Sequence, residues 1–106
     1  MELLCTARQA YNNSYGSFDI TVGPLSRLWR NARKSQQFPN ATTIKEARKS
    51  VGFNKVLLDS SAQTITFLQP NMQLDMGGIA KGYAADKVLA LLQSFGITNA
   101  LVDAGG

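Results

Sequence analysis

The sequence contains no histidine and only one cysteine, Cys5. A single cysteine cannot form a disulfide within the chain, and the lack of histidine excludes histidine-based zinc sites and Ser-His-Asp triads. No apolar run reaches the length of a membrane-spanning helix. Several common classes of enzyme are therefore excluded by absence alone. The chain has 106 residues, of which 44% are hydrophobic, and this is enough for one small domain with one core.

Acidic residues are scarce over a long stretch in the middle of the chain. Eight of the eleven basic residues lie between Arg27 and Lys55, where only Glu46 opposes them. Such a block can meet phosphates, nucleic acid or an acidic membrane, although a solvated face is its more common explanation. No aromatic residues interleave with the block in the pattern of a nucleic-acid recognition motif. We therefore do not predict a nucleic-acid partner.

Hydrophobic spacing and turn residues predict one unit that contains both helices and strands. In chain order, the predicted elements are a helix over residues 2–15, a β-like run over 17–22, a helix from Pro24, a loop over 31–41, a helix with a Thr43–Glu46 capping box and a closing Gly52, a hairpin of strands 55–58 and 64–68, a helix over 79–94 and a strand over 97–102.

Three further residues and one helix face are predicted to lie in the core. Trp29 and Phe53 are interpreted as core aromatics, and Cys5 as a small buried apolar residue. The last helix carries apolar residues at helical spacing along one face, which predicts that this face is buried. The residues of this face are Ala80, Ala84, Val88, Leu91 and Phe95.

The most distinctive segment is the run from Asp75 to Tyr83, in which Gly77 and Gly78 precede the last helix. Glycines there let the free N–H groups of the first helical turn approach a ligand, and the helix dipole favours an anion at that end. Lys81 would add a positive charge one turn into the helix. The alternative is purely structural: the glycines allow tight packing, Asp75 caps the helix, and Lys81 lies on the surface.

Two other segments carry a carboxylate beside a turn. Asp19 interrupts the apolar run that ends at Gly23-Pro24, so it needs a partner if it is buried. It could contact a ligand or stabilise a turn, and the residues alone favour neither. Asp103 begins the glycine-rich end of the chain, which could bring backbone to a ligand or form an ordinary turn.

Taken together, three segments resemble the ApbE family of FAD:protein FMN transferases, in the family's order and at plausible intervals. They are residues 18–25 with Leu28-Trp29, residues 74–86, and residues 100–106. The resemblance covers nearly the whole chain. One departure lies at residues 30–32, which read Arg-Asn-Ala where family members usually have Gly-Phe-Gly.

The resemblance implies a fold, a reaction and a setting. The expected fold is α+β, with helices packed on a small, mostly antiparallel sheet, as a partial ApbE-type (T-fold-like) domain over residues 1–106. The expected reaction is a Mg2+-dependent transfer of FMN from FAD to a Thr or Ser hydroxyl of a target flavoprotein subunit, with release of AMP. The family also implies a parent protein in the periplasm, or anchored on the outer face of a bacterial inner membrane.

The resemblance also assigns site residues. By resemblance, Ser17, Phe18 and Asp19 contact the flavin nucleotide, Asp75 hydrogen-bonds FAD, and Lys81 occupies another FAD-contacting position.

Gly78 lies where the family supplies a metal ligand, which a glycine can offer only through its backbone oxygen. The family's N-terminal flavin-binding stretch and C-terminal half are expected to be missing from the chain. Since a lone carbonyl does not hold Mg2+, we expect weak or no metal binding and little activity from these 106 residues alone.

Two other hypotheses remain open. The chain could be a binding module that holds FAD or its breakdown products without transferring FMN. It could also be an interaction segment whose basic run from Arg27 to Lys55 docks an acidic partner.

Overall fold

A computed structural model of the chain describes residues 1–105, which form four α-helices, one two-stranded antiparallel sheet and two short 3₁₀ turns. The predicted α+β class is confirmed. No helix within this range is long and apolar enough to cross a membrane. In chain order the elements are α1 (Glu2–Asn13), a 3₁₀ turn (Ile20–Val22), α2 (Gly23–Ser35), α3 (Ala41–Lys49), a second 3₁₀ turn (Phe53–Lys55), β1 (Val56–Asp59), β2 (Thr64–Phe67) and α4 (Ala80–Ser94).

The chain divides into two compact units. Unit 1 is Met1–Asp75, which contains the sheet and the first three helices. Unit 2 is Met76–Gly106, which contains α4 and the segment that follows it.

The core of unit 1 forms around Phe53, which is fully buried, as the sequence predicts. The Tyr11 ring of α1 lies 5.6 Å from the Phe53 ring, and the Arg8 guanidinium lies 4.1 Å from its centroid. Arg8 also donates a hydrogen bond to the carbonyl of Val56, which ties α1 to the start of β1. The other buried side chains are Ala7, Ile20, Thr21, Val56 and Met72.

Two residues that we expected in the core are outside it. Trp29 is 49% exposed and Cys5 is exposed, so both predictions are wrong. Trp29 meets the ring of Phe38 edge to face rather than a buried layer. The Cys5 sulfur lies 3.7 Å from the Ser60 hydroxyl, which is itself exposed. Apolar character alone does not decide which side of a short helix is covered.

The predicted hairpin is confirmed, with β1 pairing antiparallel to β2 from Val56↔Phe67 to Asp59↔Thr64. A single carboxylate oxygen of Asp59 accepts hydrogen bonds from the backbone N–H groups of Ser61 and Ala62, each at 2.9 Å. Short polar side chains stabilise tight turns in this way.

Helix α2 begins next to Pro24, as predicted, but it is longer than the sequence suggests. It continues to Ser35, so the loop predicted over residues 31–41 is wrong except for residues 36–40. Residues 31–35 include alanine, arginine and lysine, which are good helix formers. Arg33 and Lys34 also suit the negative end of the helix dipole. The helix ends where Gln36 adopts a left-handed conformation, with φ 56°.

Helix α3 is present, but its ends differ from the prediction. The N-cap is Asn40, whose side-chain oxygen accepts from the Thr43 N–H at 2.7 Å and the Thr43 hydroxyl at 2.8 Å. The predicted Thr43–Glu46 capping box is therefore wrong. Gly52 does not close the helix, because the C-cap is Ser50.

Neither of the two predicted strands outside the hairpin forms within residues 1–105. The run over 17–22 instead contains a 3₁₀ turn, because Asp19 offers its carboxylate to the backbone N–H of Thr21. The run over 97–102 has no strand partner in the described chain, and the Ile97 N–H donates to the Leu92 carbonyl at the end of α4.

Unit 2 confirms the long helix predicted over 79–94, with Ile79 as N-cap and a left-handed Gly96 just beyond its end. The face predicted to be buried is exposed, however. Along it, Val88, Leu91 and Phe95 are 43%, 57% and 75% exposed. Residues 95–105 contain no helix or strand to cover this face.

Candidate functional site

The structure distributes the predicted site residues over both units. Ser17, Phe18, Asp19 and Asp75 belong to unit 1, whereas Gly78 and Lys81 belong to unit 2.

Asp19 and Asp75 are brought to the same 3₁₀ turn of unit 1. The Asp75 N–H donates to the carbonyl of Ile20 at 2.7 Å, and Asp19 caps the turn that Ile20 begins. Asp19 and Asp75 are more than fifty positions apart in sequence, so tertiary folding, and not closeness in sequence, brings them together. This turn is the point of unit 1 at which two of the three family-like segments meet.

Both carboxylate oxygens of Asp19 are used inside unit 1. Oδ1 accepts from the Thr21 N–H at 2.8 Å and from the Thr21 hydroxyl at 2.7 Å, while Oδ2 accepts from the Phe53 N–H at 3.3 Å. The Thr21 hydroxyl oxygen in turn accepts from the Gly52 N–H at 2.7 Å. Of the two interpretations of Asp19, this geometry supports the turn-stabilising carboxylate. Its contact with a flavin nucleotide stays a prediction.

Ser17 and Phe18 lie beside this network. The Phe18 N–H donates to the Ser14 hydroxyl at 2.9 Å, and the Ser17 N–H donates to the Ser14 carbonyl at 3.0 Å. Ser17 is exposed, and its hydroxyl has no hydrogen-bond partner in the part of the chain that is described. Its hydroxyl is therefore accessible to a ligand, and the neighbouring Phe18 is half-buried.

The carboxylate of Asp75 is held by an arginine that sequence reasoning did not select. Arg30 of α2 places a guanidinium nitrogen 2.6 Å from Asp75 Oδ2, and the two side chains are 67% and 19% exposed. Because Arg30 is largely in water, this ion pair contributes little to stability, but it orients the carboxylate. One signal in the sequence could have drawn attention to Arg30. Members of the ApbE family usually have a glycine at this position, and this chain does not.

In unit 2, the start of α4 and the segment after it meet at an open cleft of about 530 Å³. The Lys81 ammonium donates to the Gly105 carbonyl at 3.1 Å, and Asp103 Oδ1 accepts from the Gly105 N–H at 2.9 Å. The cleft thus brings together two of the segments that resemble the ApbE family, residues 74–86 and residues 100–106. The Lys81 ammonium beside it is a cation suited to binding phosphate. Its lining residues are Lys81, Gly82, Ala85, Leu101, Val102, Asp103, Ala104 and Gly105.

Gly78, the predicted metal ligand, is not joined by a cluster of metal-binding side chains within the described residues. Among residues 1–105 no three His, Cys, Asp or Glu side chains are grouped closely enough to hold a metal ion. Gly78 can contribute only its backbone oxygen, and Mg2+ requires near-octahedral coordination that usually includes carboxylates.

Comparison with known proteins supports the resemblance drawn from the sequence. A model of the ApbE family matches residues 1–106. An FAD:protein FMN transferase from Klebsiella pneumoniae is 33% identical over 105 residues, which are 99% of this chain and 33% of that protein. The chain therefore spans about one third of the length of the curated relatives it matches.

Solved structures give the same result at the level of the fold. The apo form of the flavinyl transferase ApbE from Pseudomonas stutzeri has a TM-score of 0.78 and 32% identity, over 90% of this chain and 30% of that one. The flavin transferase ApbE from Vibrio cholerae has a TM-score of 0.79 and 27% identity, over 92% of this chain and 32% of that one.

Proposed function

Because the chain belongs to the ApbE family, we propose that it forms part of an enzyme that transfers FMN from FAD to a Thr or Ser hydroxyl of a target flavoprotein. The observation that carries this proposal is the match of the family model over residues 1–106. In the reaction, the hydroxyl oxygen attacks the phosphorus of the FMN moiety and the pyrophosphate P–O bond breaks. AMP leaves, and the hydroxyl proton is released.

In this proposal the residues of unit 1 orient the cofactor. Asp75 accepts a hydrogen bond from FAD through its carboxylate, which Arg30 already holds in one direction at 2.6 Å. The exposed Ser17 hydroxyl and the Phe18 ring contact the flavin nucleotide. Asp19 acts mainly by holding the turn, because its oxygens already accept from Thr21 and Phe53.

In unit 2 the cleft contributes a cation. Lys81 faces the Gly105 carbonyl across the cleft, so its ammonium can exchange this neutral acceptor for a phosphate oxygen. Mg2+, if the enzyme uses it, would take the Gly78 carbonyl as one ligand. Within residues 1–105 no group of three or more His, Cys, Asp or Glu side chains is present to complete its coordination.

A second candidate is that the chain binds FAD without transferring FMN, because the residues proposed to contact the cofactor, Ser17, Phe18 and Asp75, would serve binding alone as well as transfer. Flavin binding with no covalent product is the signature of this candidate.

The experiment uses the parent enzyme that carries this chain, with its acceptor flavoprotein. We expect covalent flavin on the acceptor, and Asp75→Asn should weaken FAD binding about 10-fold, since a hydrogen bond to a charged group is worth roughly 1.5–3 kcal/mol. Glu46→Gln, which makes the same chemical change at an exposed position, is the matched control. Unchanged FAD affinity in Asp75→Asn would reject the role of Asp75, whereas the absence of covalent flavin with the unaltered enzyme would reject the transferase.

A further inference from the structure

The end of α2 forms a second cleft, which we call the aromatic cleft, and it has no role in the proposed FMN transfer. The rings of Trp29 and Phe38 stand 6.2 Å apart at 76°, and their side chains are 49% and 88% exposed. The cleft has a volume of about 330 Å³. Its lining residues are Trp29, Ala32, Arg33, Gln36, Gln37 and Phe38, all of unit 1.

The stretch of chain that forms the aromatic cleft is basic and contains no acidic residue of its own. Residues 20–45 contain no aspartate or glutamate. Arg30 is neutralised by Asp75, but Arg27, Arg33 and Lys34 are exposed and form no ion pair within residues 1–105. Of these three cations only Arg33 lines the cleft, where it can attract a group of opposite charge on a partner, while Arg27 and Lys34 add to the positive field around it.

The cleft is preformed by local hydrogen bonds. Gln36 adopts the left-handed conformation, its side-chain amide donates to the Arg33 carbonyl at 2.9 Å, and the Gln37 N–H donates to the Ala32 carbonyl at 3.3 Å. These bonds fix the turn that brings Phe38 back against Trp29. A partner would therefore bind without first ordering the loop, which favours affinity.

The residue types in the cleft are those that dominate protein interfaces. Tryptophan and arginine are enriched among the residues that carry binding energy, and exposed aromatic rings are enriched at interfaces generally. The side-chain amides of Gln36 and Gln37 can both donate to and accept from a peptide backbone. The edge-to-face rings form an apolar wall suited to an aliphatic side chain, and they do not offer parallel faces between which a base could stack.

We propose that the aromatic cleft docks an acidic segment of a partner protein. An apolar side chain of that segment enters the cleft and packs against the Trp29 and Phe38 rings, and its carboxylates face Arg33. The docking does not involve FAD, so it holds or fails independently of the transferase proposal.

Trp29 is the only tryptophan in the chain, so its fluorescence reports occupancy of the cleft directly. The probe is an acetylated and amidated peptide with four aspartates on each side of two leucines. We expect a saturable change in Trp29 emission that weakens as salt is raised. Two control peptides, one with serines in place of the leucines and one with lysines in place of the aspartates, should each bind at least about 10-fold more weakly.

Variants then test whether the cleft itself makes the contact. Phe38→Ala and Arg33→Ala should each weaken binding of the acidic peptide by about 5-fold to 10-fold, as for residues that line an interface centre. Lys45→Ala removes the same charge from α3 outside the cleft lining and should change affinity less than about 2-fold. Because these side chains are exposed, the variants are expected to fold, and far-ultraviolet circular dichroism checks this.

Three results would overturn the proposal. The first is no saturable Trp29 response to the acidic peptide. The second is equal binding of the serine peptide, or equal losses in Arg33→Ala and Lys45→Ala, because either would show diffuse charge attraction. The third is a Trp29 response to phosphatidylglycerol vesicles or to single-stranded DNA that exceeds the response to the peptide, since that would assign the cleft to a different class of ligand.

Discussion

The two units differ in what they do with their large apolar side chains: Phe53 and Ile20 of unit 1 are 0% and 1% exposed, whereas Leu91 and Phe95 of unit 2 are 57% and 75% exposed. Unit 1 also carries the Asp19 network, which joins the turn over Ile20–Val22 to the backbone of Phe53. Unit 2 consists of one helix and the segment after it, and no side chain of α4 is buried.

This difference shows where the conformation of each unit comes from. Unit 1 is fixed by burial and by internal hydrogen bonds between residues that are distant in sequence. Helix α4 has 15 residues, a length at which helix propensity alone gives marginal stability in water. Helix α4, with none of its residues buried, therefore lacks the burial that stabilises unit 1.

The largest expected effect comes from removing the Phe53 side chain. Phe53→Ala should lower the free energy of unfolding by about 3–5 kcal/mol, because it empties the centre of the unit 1 core. The same change at the exposed Phe95 of unit 2 is the matched control and should cost no more than about 0.5 kcal/mol. Urea denaturation followed by Trp29 fluorescence and circular dichroism measures both. Equal losses would show that the units do not differ in this way.

Two glycines, one in each unit, should respond to alanine with opposite signs. A Cβ on Gly23 would lie 2.4 Å from the Gln73 carbonyl oxygen, so Gly23→Ala should destabilise unit 1 by about 3 kcal/mol. A Cβ on Gly82 would meet nothing within 4 Å. Gly82→Ala should therefore stabilise α4 by about 0.5–1 kcal/mol, through helix propensity alone. Thermal unfolding of the two variants gives the signs, and a destabilising Gly82→Ala would contradict the open surroundings of that residue.

A smaller loss is expected when the hydroxyl of Thr21 is removed. Thr21→Val keeps the shape of the buried side chain but leaves the Gly52 N–H without its acceptor and removes a donor to Asp19. The expected cost is about 1–3 kcal/mol. Thr64→Val, at an exposed position of β2, should stay within about 0.5 kcal/mol. If the two variants unfolded at the same urea concentration, the network would not contribute to stability.

The smallest effect concerns the cap of α3. Asn40→Ala removes the oxygen that accepts from the Thr43 N–H and should cost about 1 kcal/mol. Asn40→Asp keeps an acceptor in place and should restore most of that loss. A shift in unfolding midpoint that is the same for both substitutions would mean that the cap does not stabilise the helix.

Sequence reasoning performed best where a pattern is local. Helices α1 and α4 and the hairpin around Asp59 follow from the spacing of apolar residues and from turn residues, which lie within a few positions of one another. It failed at the run over 17–22, because a polar side chain competed with the strand for backbone hydrogen bonds. It failed also at Trp29, since hydrophobicity does not state which side of a helix another element covers.

For the candidate site, the sequence selected Asp19, Asp75 and Lys81 but not the partners of their polar groups. Arg30 is 45 residues from Asp75, and Gly105 is 24 residues from Lys81, so no short pattern links either pair. The aromatic cleft was missed for a related reason: it required α2 to continue to Ser35 and the chain to turn at Gln36.

The order of residues by itself determined the family, the α+β class and the approximate positions of the helices and the hairpin, because these depend on neighbouring side chains and on motifs read along the chain. Only the tertiary structure decided that Asp19 braces a turn, that Arg30 holds Asp75 and that Trp29 meets Phe38 at the surface. Such contacts depend on distances between segments far apart in sequence, and the energy of a hydrogen bond or an ion pair changes steeply with distance and with exposure to water.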